Sequence, residues 1–214
     1  MLVRDRMTHN PVTVSPDTPV PEALDVMKQN GVRRLPVVEN GHLIGIVTQM
    51  DLLRASPSPA TSLAVWEIPH LVAKIKVRDV MAEDVVTIGP DEPLEDAALV
   101  MRERKIGGLP VVEDGRVIGI ITETDIFDAF VDVLGVRRGG TRITLDVEDR
   151  LGVLADITGI TKDLGINILS LVTMPLEGGR AKATYRVKGT TINDLLERLK
   201  ARGYKVLHVF PEAE

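Results

Sequence analysis

The chain has 214 residues, enough for one large or two small domains at roughly 100–200 residues each. Hydrophobic residues make up 44%, charged residues 27% and aromatics only 3%, so a globular protein with an aliphatic core is expected. The net charge of -5 argues against nucleic acid, whose binding rests on Lys and Arg neutralising phosphates, and the lack of cysteine excludes disulfides and thiolate chemistry.

The opening MLVRDRMTHNP holds no apolar run able to act as a signal peptide. No stretch approaches the roughly 20 apolar residues that span a bilayer. The expected location is therefore the cytoplasm, with no membrane partner. PVTVSPD (11–17) is a short β-prone run stopped by Ser-Pro-Asp. The spacing of Val20, Ala23, Leu24 and Met27 predicts a helix over 19–30, ended by Asn30-Gly31. Leu35–Val38 and Leu43–Val47 read as two strands joined at a hairpin turn containing Asn40-Gly41. Thr48 opens a short helix through Met50, Leu53 and Ala55. The first unit, 1–56, thus has the order β-α-β-β-α.

Ser56-Pro57-Ser58-Pro59 breaks the chain. The segment 57–76 is expected to be a helical linker kinked at Pro69. Its Trp66, the only tryptophan, reads either as packing over the joint between two units or as an anchor for a dimer contact. The second unit, 77–134, then repeats the first. LPVVENGHLIGIVTQMDLLRA (35–55) returns as LPVVEDGRVIGIITETDIFDA (109–129), so Leu35 maps to Leu109, Gly45 to Gly119, Thr48 to Thr122 and Asp51 to Asp125. The register holds upstream at Met7/Met81, Thr13/Thr87 and Met27/Met101, and Val77-Arg78-Asp79 echoes Val3-Arg4-Asp5 as a strand-like arm. A gapless duplication of this kind means two copies of one structural unit, expected to face each other across a pseudo-twofold axis. The copies differ where Arg33-Arg34 stands in the first and Gly107-Gly108 in the second.

Each copy carries Gly-apolar-apolar-Thr-x-x-Asp at a strand-to-helix junction: GIVTQMD (45–51) and GIITETD (119–125). Two readings fit. As a variant capping box, the Thr hydroxyl and the Asp satisfy backbone groups of the first helical turn. As a ligand site, a carboxylate at a helix mouth accepts both hydroxyls of a ribose, beside an N-terminus that favours anions.

The MTxNPVTVxPD segment, RRLPVV and GGLPVV, the GxxIGI strands and the doubled Thr-x-x-Asp together resemble CBS domains, and the tandem resembles a CBS pair, or Bateman module, over residues 1 to about 134. The resemblance implies two clefts, each built from both repeats, that bind AMP, ADP or ATP, with S-adenosylmethionine less favoured. One cleft would use Val12, Thr13 and Val14 with Thr122 and Asp125. The other would use Val86, Thr87 and Ile88 with Thr48 and Asp51. Arg33 matches the family's phosphate-binding basic residue, and Arg34, Pro36 and Pro110 join the expected nucleotide-binding set.

Gly135 and Gly139-Gly140 mark a hinge. Beyond it, 141–214 reads as a third module. TRITLDVEDR opens as a strand, and Val153, Leu154, Ile157, Ile160 and Leu164 give a helical stripe ended by Gly165. Ile166–Met174 is β-rich, and Ala181, Ala183, Tyr185 and Val187 alternate with polar residues on a strand with one wet face. Ile192, Leu195, Leu196 and Leu199 form a second helix before a last strand at Lys205–Phe210. The order βαββαβ is ferredoxin-like. With VEDRLGVLADITGITKDLGINILSL (147–171) this module resembles an ACT domain. That resemblance implies side-by-side homodimerisation through sheets and an effector such as an amino acid near Gly152, Val153, Leu154, Asn167 and Ile168. Without a ligand, Gly152 reads as a helix-start residue needing close packing and Asn167 as a turn residue. The whole chain, with its SPSPATSLAVWEI connector, resembles the acetoin-utilisation protein B group.

His9, His42, His70 and His208 stand at no metal-ligand spacing, and no P-loop, Gly-x-Ser-x-Gly or GxGxxG occurs. Glu22/Asp25 and Glu95/Asp96 read as solvated helix faces. No nucleophile-base set remains once the Thr/Asp pairs are assigned to sugar binding, so no catalytic residue, metal or cofactor is expected. The expected fold is α+β: two CBS repeats in a pseudo-twofold pair followed by an ACT domain. The expected function is a non-enzymatic nucleotide sensor with an unknown target protein, the alternative being an interaction scaffold without ligand in acetoin or related metabolism.

Overall fold

The computed structural model describes residues 1–55 and 74–211. They fall into two compact units, Met1–Ile126 and Phe127–Glu214. Trp66, Pro69 and His70, and with them the expected linker helix, lie outside the described residues.

In the first unit each repeat builds the same elements from the same local signals. Helix α1 (Val20–Asn30) buries Val20, Ala23 and Met27 on one face and stops at Gly31, whose φ of 65° is left-handed and free of penalty for glycine. Strands β2 (Arg34–Glu39) and β3 (His42–Thr48) pair antiparallel. Asn40 and Gly41, both at positive φ, make their tight turn. Helix α2 (Gln49–Ala55) follows. The second repeat gives α3 (Leu94–Arg104), β4 (Gly108–Glu113), β5 (Arg116–Thr122) and the first turn of α4 (Glu123–Val133), whose residues from Phe127 onward belong to the second unit.

The expected strand at 11–17 is reduced to one parallel bridge, Val14 to Val37, mirrored by Ile88 to Val111. Pro11 and Pro16 carry no backbone N–H, which leaves room for little more. The arms 3–5 and 77–79 are 3-10 turns rather than strands. The reason is local: Asp5 Oδ2 accepts the Leu2 N–H and Asp79 Oδ2 accepts the Lys76 N–H, both at 2.8 Å, and each bond closes a turn.

The arms are also exchanged. The first arm docks on the second repeat, where the Val3 N–H donates to Glu92 O and β1 (Thr8–His9) pairs with β5 at Ile120 and Gly119. The second arm docks on the first repeat, where the Val77 N–H donates to Thr18 O and Ala82 bridges Ile46. Val77 is fully buried in the core formed by Val20, Met27, Leu35, Val47 and Leu52. Burying a side chain of this size is worth roughly 1.5–3 kcal/mol. Ion pairs repeat the exchange at the surface: Arg4 meets Asp91 at 2.5 Å and Arg78 meets Asp17 at 2.7 Å.

The second unit is a four-stranded antiparallel sheet backed by two helices. Its elements are β6 (Thr141–Glu148), α5 (Val153–Asp163), β7 (Asn167–Leu176), β8 (Arg180–Lys188), α6 (Ile192–Ala201) and β9 (Lys205–Phe210). The strand order is β7-β8-β6-β9, the ferredoxin-like arrangement. Alternation along β8 holds, with Ala181, Ala183, Tyr185 and Val187 buried against Ile157, Leu195 and Leu199. Gly152 does not serve close packing: a Cβ there would meet nothing within 4 Å, and its φ of 85° is what requires glycine. Asn167 is an exposed residue at the start of β7 rather than part of a turn.

Candidate functional site

At the mouth of α4, Asp125 Oδ2 accepts the Thr122 N–H at 2.8 Å and the Thr122 hydroxyl at 2.7 Å. At the mouth of α2, Asp51 Oδ2 accepts the Thr48 N–H at 2.9 Å and the Thr48 hydroxyl at 2.5 Å, and the Asp51 N–H returns to Thr48 Oγ1 at 3.3 Å. The capping reading is therefore physically realised in both copies. It uses one carboxylate oxygen. Among the described residues Oδ1 of either aspartate accepts no hydrogen bond, so capping and ligand binding do not compete for the same lone pairs.

Asp125 lines a cavity of about 420 Å³. The β2 end of the first repeat supplies Arg33, Arg34 and Pro36, and the strand-like run before α1 supplies Pro11 and Val12. The second repeat supplies Gly107, Ile120, Thr122, Glu123 and Thr124. The volume lies within the roughly 300–1,000 Å³ of small-molecule sites. Charge is divided across it, with acidic groups in the first turn of α4 facing the two arginines. An anion is favoured on the arginine side and a hydroxyl-bearing group on the Asp125 side.

The pseudo-symmetric cleft holds about 270 Å³ and is lined by Ile46, Thr48, Asp84, Val85, Val86, Lys105, Gly107 and Gly108, with Arg34 entering from the first repeat. The walls correspond position by position: Val12 to Val86, Pro11 to Val85, Ile120 to Ile46, Thr122 to Thr48. Of the expected residues, Val12, Arg33, Arg34, Pro36, Thr122 and Asp125 come together in the larger cleft, and Thr48 and Val86 in the smaller. Thr13 and Thr87 are exposed and Val14 and Ile88 are buried in the repeat cores, and none of the four lines either cleft. Asp51 and Pro110 do not reach the wall of the smaller one. Sequence reading missed Asn10, Glu123, Asp84 and Lys105. The 74-residue register would have paired Asn10 with Asp84, but no local pattern marks either as lining.

Burial pulls the Arg34 guanidinium below the usual arginine value, the nearby Glu123 charge opposes this, and neighbouring Arg33 adds to it. It is a half-buried cation with no ion pair or hydrogen bond among the described residues.

In the second unit Gly152, Val153 and Leu154 line an open depression with Asp149, Arg150, Thr173 and Pro175. Asn167 and Ile168 lie instead in a shallower one with Thr158, Lys162 and Gly165. Arg150 is held by Asp156 at 2.6 Å, and the Tyr204 hydroxyl also donates to that carboxylate. Among the described residues no cluster of His, Cys, Asp or Glu could hold a metal ion, and no helix is long and apolar enough to cross a membrane.

The two repeats and the third module are those of known regulatory modules. The CBS-domain profile matches residues 3–58 and 77–132, and a TTHA0829-like ACT-domain profile matches residues 139–210. The chain belongs to the CBS-domain family and carries a C-terminal ACT domain. It is 37% identical over 136 residues, 63% of its length, to a CBS domain-containing protein of Dictyostelium discoideum, of which it covers 94%. It is 34% identical over 148 residues to inosine-5′-monophosphate dehydrogenase of Korarchaeum cryptofilum, but spans only 26% of that protein.

Among solved structures, a putative acetoin utilization protein (AcuB) from Vibrio cholerae is 32% identical, with 64% of this chain and 96% of that one aligned at a TM-score of 0.54. The CBS pair of protein MJ0100, solved with 5′-methylthioadenosine and S-adenosyl-L-methionine, is 30% identical (61% and 95% covered, TM-score 0.51). CBSX2, solved with AMP, is 32% identical (61% and 96% covered, TM-score 0.51). CBS pairs and ACT domains are regulatory rather than catalytic modules, and CBS pairs related to this one bind adenine nucleotides or S-adenosylmethionine.

Proposed function

We propose that this protein is a non-catalytic sensor that binds an adenine nucleotide between its CBS repeats and passes the signal on through its ACT module. One observation carries the reading: Asp125 holds its own helix through Oδ2 alone and lines a cavity of about 420 Å³ that Arg33 and Arg34 also line. A ribose diol fits the acceptor and a 5′-phosphate fits the cations. AMP, ADP and ATP meet both demands. S-adenosylmethionine meets only the first, because it brings a sulfonium toward two arginines. AMP in the related CBSX2 pair supports both demands, and 5′-methylthioadenosine and S-adenosyl-L-methionine in the MJ0100 pair support the adenosine part alone. The reading sets the protein in the cytoplasm, where these nucleotides occur.

The ACT module adds a homodimer contact. Strand β7 is a sheet edge carrying exposed Val172, Met174 and Leu176, a surface suited to a second copy. An amino-acid effector would seat its carboxylate near Arg150, in competition with Asp156.

Calorimetric titration of AMP, ADP, ATP and S-adenosylmethionine tests the central claim. Binding by at least one phosphate-bearing compound is expected, at least tenfold weaker in Asp125→Ala, a loss of about 1.4 kcal/mol or more. No binding by any of the four, or equal affinity in the variant, overturns it. Light scattering that finds only monomer at micromolar concentration removes the dimer. The satisfied caps favour a second reading, a ligand-free scaffold, and a melting temperature unmoved by millimolar nucleotide would support it, since a bound ligand raises apparent stability by mass action.

A further inference from the structure

The two clefts are copies of one design, yet they are unequal, and one side chain is shared between them. Arg34 lines both of them. Its guanidinium lies over the backbone of Gly107 and Gly108, the two positions that correspond to Arg33 and Arg34 in the second repeat. A Cβ on Gly107 would meet Arg34 Nη2 at 2.7 Å and Glu123 Oε2 at 3.0 Å, and one on Gly108 would collide with Arg34 Nη1 outright. Neither glycine needs its conformational freedom, since neither has a positive φ. What both provide is empty volume, and Arg34 fills it. Glu123 holds the cation there by charge; its counterpart in the first repeat is the neutral Gln49. The walls differ as well: Asp125 reaches the larger cleft, while Asp51 does not reach the smaller.

We propose that Arg34 makes the CBS pair a one-nucleotide receptor: it serves the Asp125 cleft as a phosphate ligand and at the same time closes the Asp51 cleft by occupying the space above Gly107 and Gly108. The proposal deepens the sensor reading and rests on it. It assigns the pair a single ligand carrying a 5′-phosphate, and makes Arg34 the residue that decides both how many adenosines bind and which kind.

The test counts ligands on the full chain, with adenosine and AMP as probes. Adenosine carries no phosphate, so the loss of a cation does not confound its count. The wild-type chain is expected to bind one adenosine or one AMP, and Asp125→Ala to bind each at least tenfold more weakly. Arg34→Gly, which copies the second repeat into the first, is expected to bind two adenosines per chain while its preference for AMP over adenosine falls at least tenfold. Adding Asp125→Ala to that variant weakens one of the two sites at least tenfold. Gly107→Ala keeps the arginine but displaces it, strikes only flexible side-chain ends, and is likewise expected to admit a second adenosine; it decides the matter if Arg34→Gly fails to fold. Two ligands on the wild-type chain, or one ligand on both Arg34→Gly and Gly107→Ala, overturns the proposal while leaving the sensor reading intact. No adenosine compound bound by any form brings down both.

Discussion

The Met81 thioether lies over Gly45, so close that a Cβ at that glycine would meet Sδ at 2.5 Å and the Ala82 carbonyl at 3.1 Å. Met7 stands in the same relation to Gly119. Each methionine belongs to one repeat's arm and each glycine to the other repeat's second hairpin strand, so these contacts lock the exchange of arms. Gly45→Ala forces either the methionine or the backbone bridge at Ala82 to move. Overpacking of this kind costs about 1–3 kcal/mol. Urea denaturation is expected to show a lower midpoint for Gly45→Ala and for Gly119→Ala, with losses of similar size because the contacts are equivalent. A midpoint unchanged in both would show that the arms yield freely.

The caps at Thr48/Asp51 and Thr122/Asp125 make a separate prediction about the ligand-free protein. Removing a helix cap typically costs about 0.5–2 kcal/mol. Asp51→Ala and Asp125→Ala are each expected to lose stability in that range with no nucleotide present, because each deletes two bonds to Oδ2. A thermal melt without ligand measures it. Full stability in either variant would mean that its carboxylate does not hold the helix.

Much of this was legible along the chain, because the signals are local. Asn40-Gly41 set the first hairpin turn, Gly31 ended α1, and the 74-residue register located both Thr-x-x-Asp caps before any contact was known. Which repeat each arm docks on was not legible. Val3 and Val77 sit in the same local pattern, and their burial depends on a partner far along the chain. The repeated Val-Arg-Asp pattern reads as a strand-like arm; the single hydrogen bonds to Asp5 and Asp79 close turns instead. The reach of Arg34 across to Gly107 and Gly108 was foreshadowed only by the Arg-Arg and Gly-Gly mismatch, which gives the difference but not its direction.

Two glycines of the ACT module separate conformational strain from steric collision. Gly152 and Gly140 have φ values of 85° and 82°, so alanine at either adopts a left-handed conformation costing roughly 1–2 kcal/mol. Open space surrounds Gly152, whereas a Cβ on Gly140 would strike the Val187 carbonyl, which is backbone of the interior strand β8. Gly152→Ala is expected to lose about 1–2 kcal/mol and Gly140→Ala clearly more, the added part reflecting overpacking. Chemical denaturation of the two variants side by side settles the order. Equal losses would mean that strain alone governs both sites.

The exchanged ion pairs give the first unit a defined response to acid. Lys76 Nζ meets Asp17 Oδ1 at 2.6 Å and Arg78 meets Oδ2 at 2.7 Å, both reaching from the second arm to the first repeat. The hydrogen bond from Lys76 holds the Asp17 carboxyl below its usual value; partial desolvation opposes this and the Arg78 charge adds to it. A carboxyl with a lower pKa in the folded than in the unfolded state favours folding when both are ionised. That contribution is complete above the unfolded value, about 3.9, and disappears as pH falls through the folded one. Asp17→Asn is therefore expected to be less stable than the wild type near neutrality, with the gap closing as pH drops from about 5 toward 3. Salt is expected to shrink the neutral-pH gap, because the pair is exposed and screened. Asp156, lowered by Arg150 and then by Tyr204, adds its own acid loss in the ACT module, so the variant retains part of the overall slope. Melting curves of both proteins across that range provide the measurement. A constant difference at every pH would mean that Asp17 is ionised to the same extent in both states and contributes nothing through its charge.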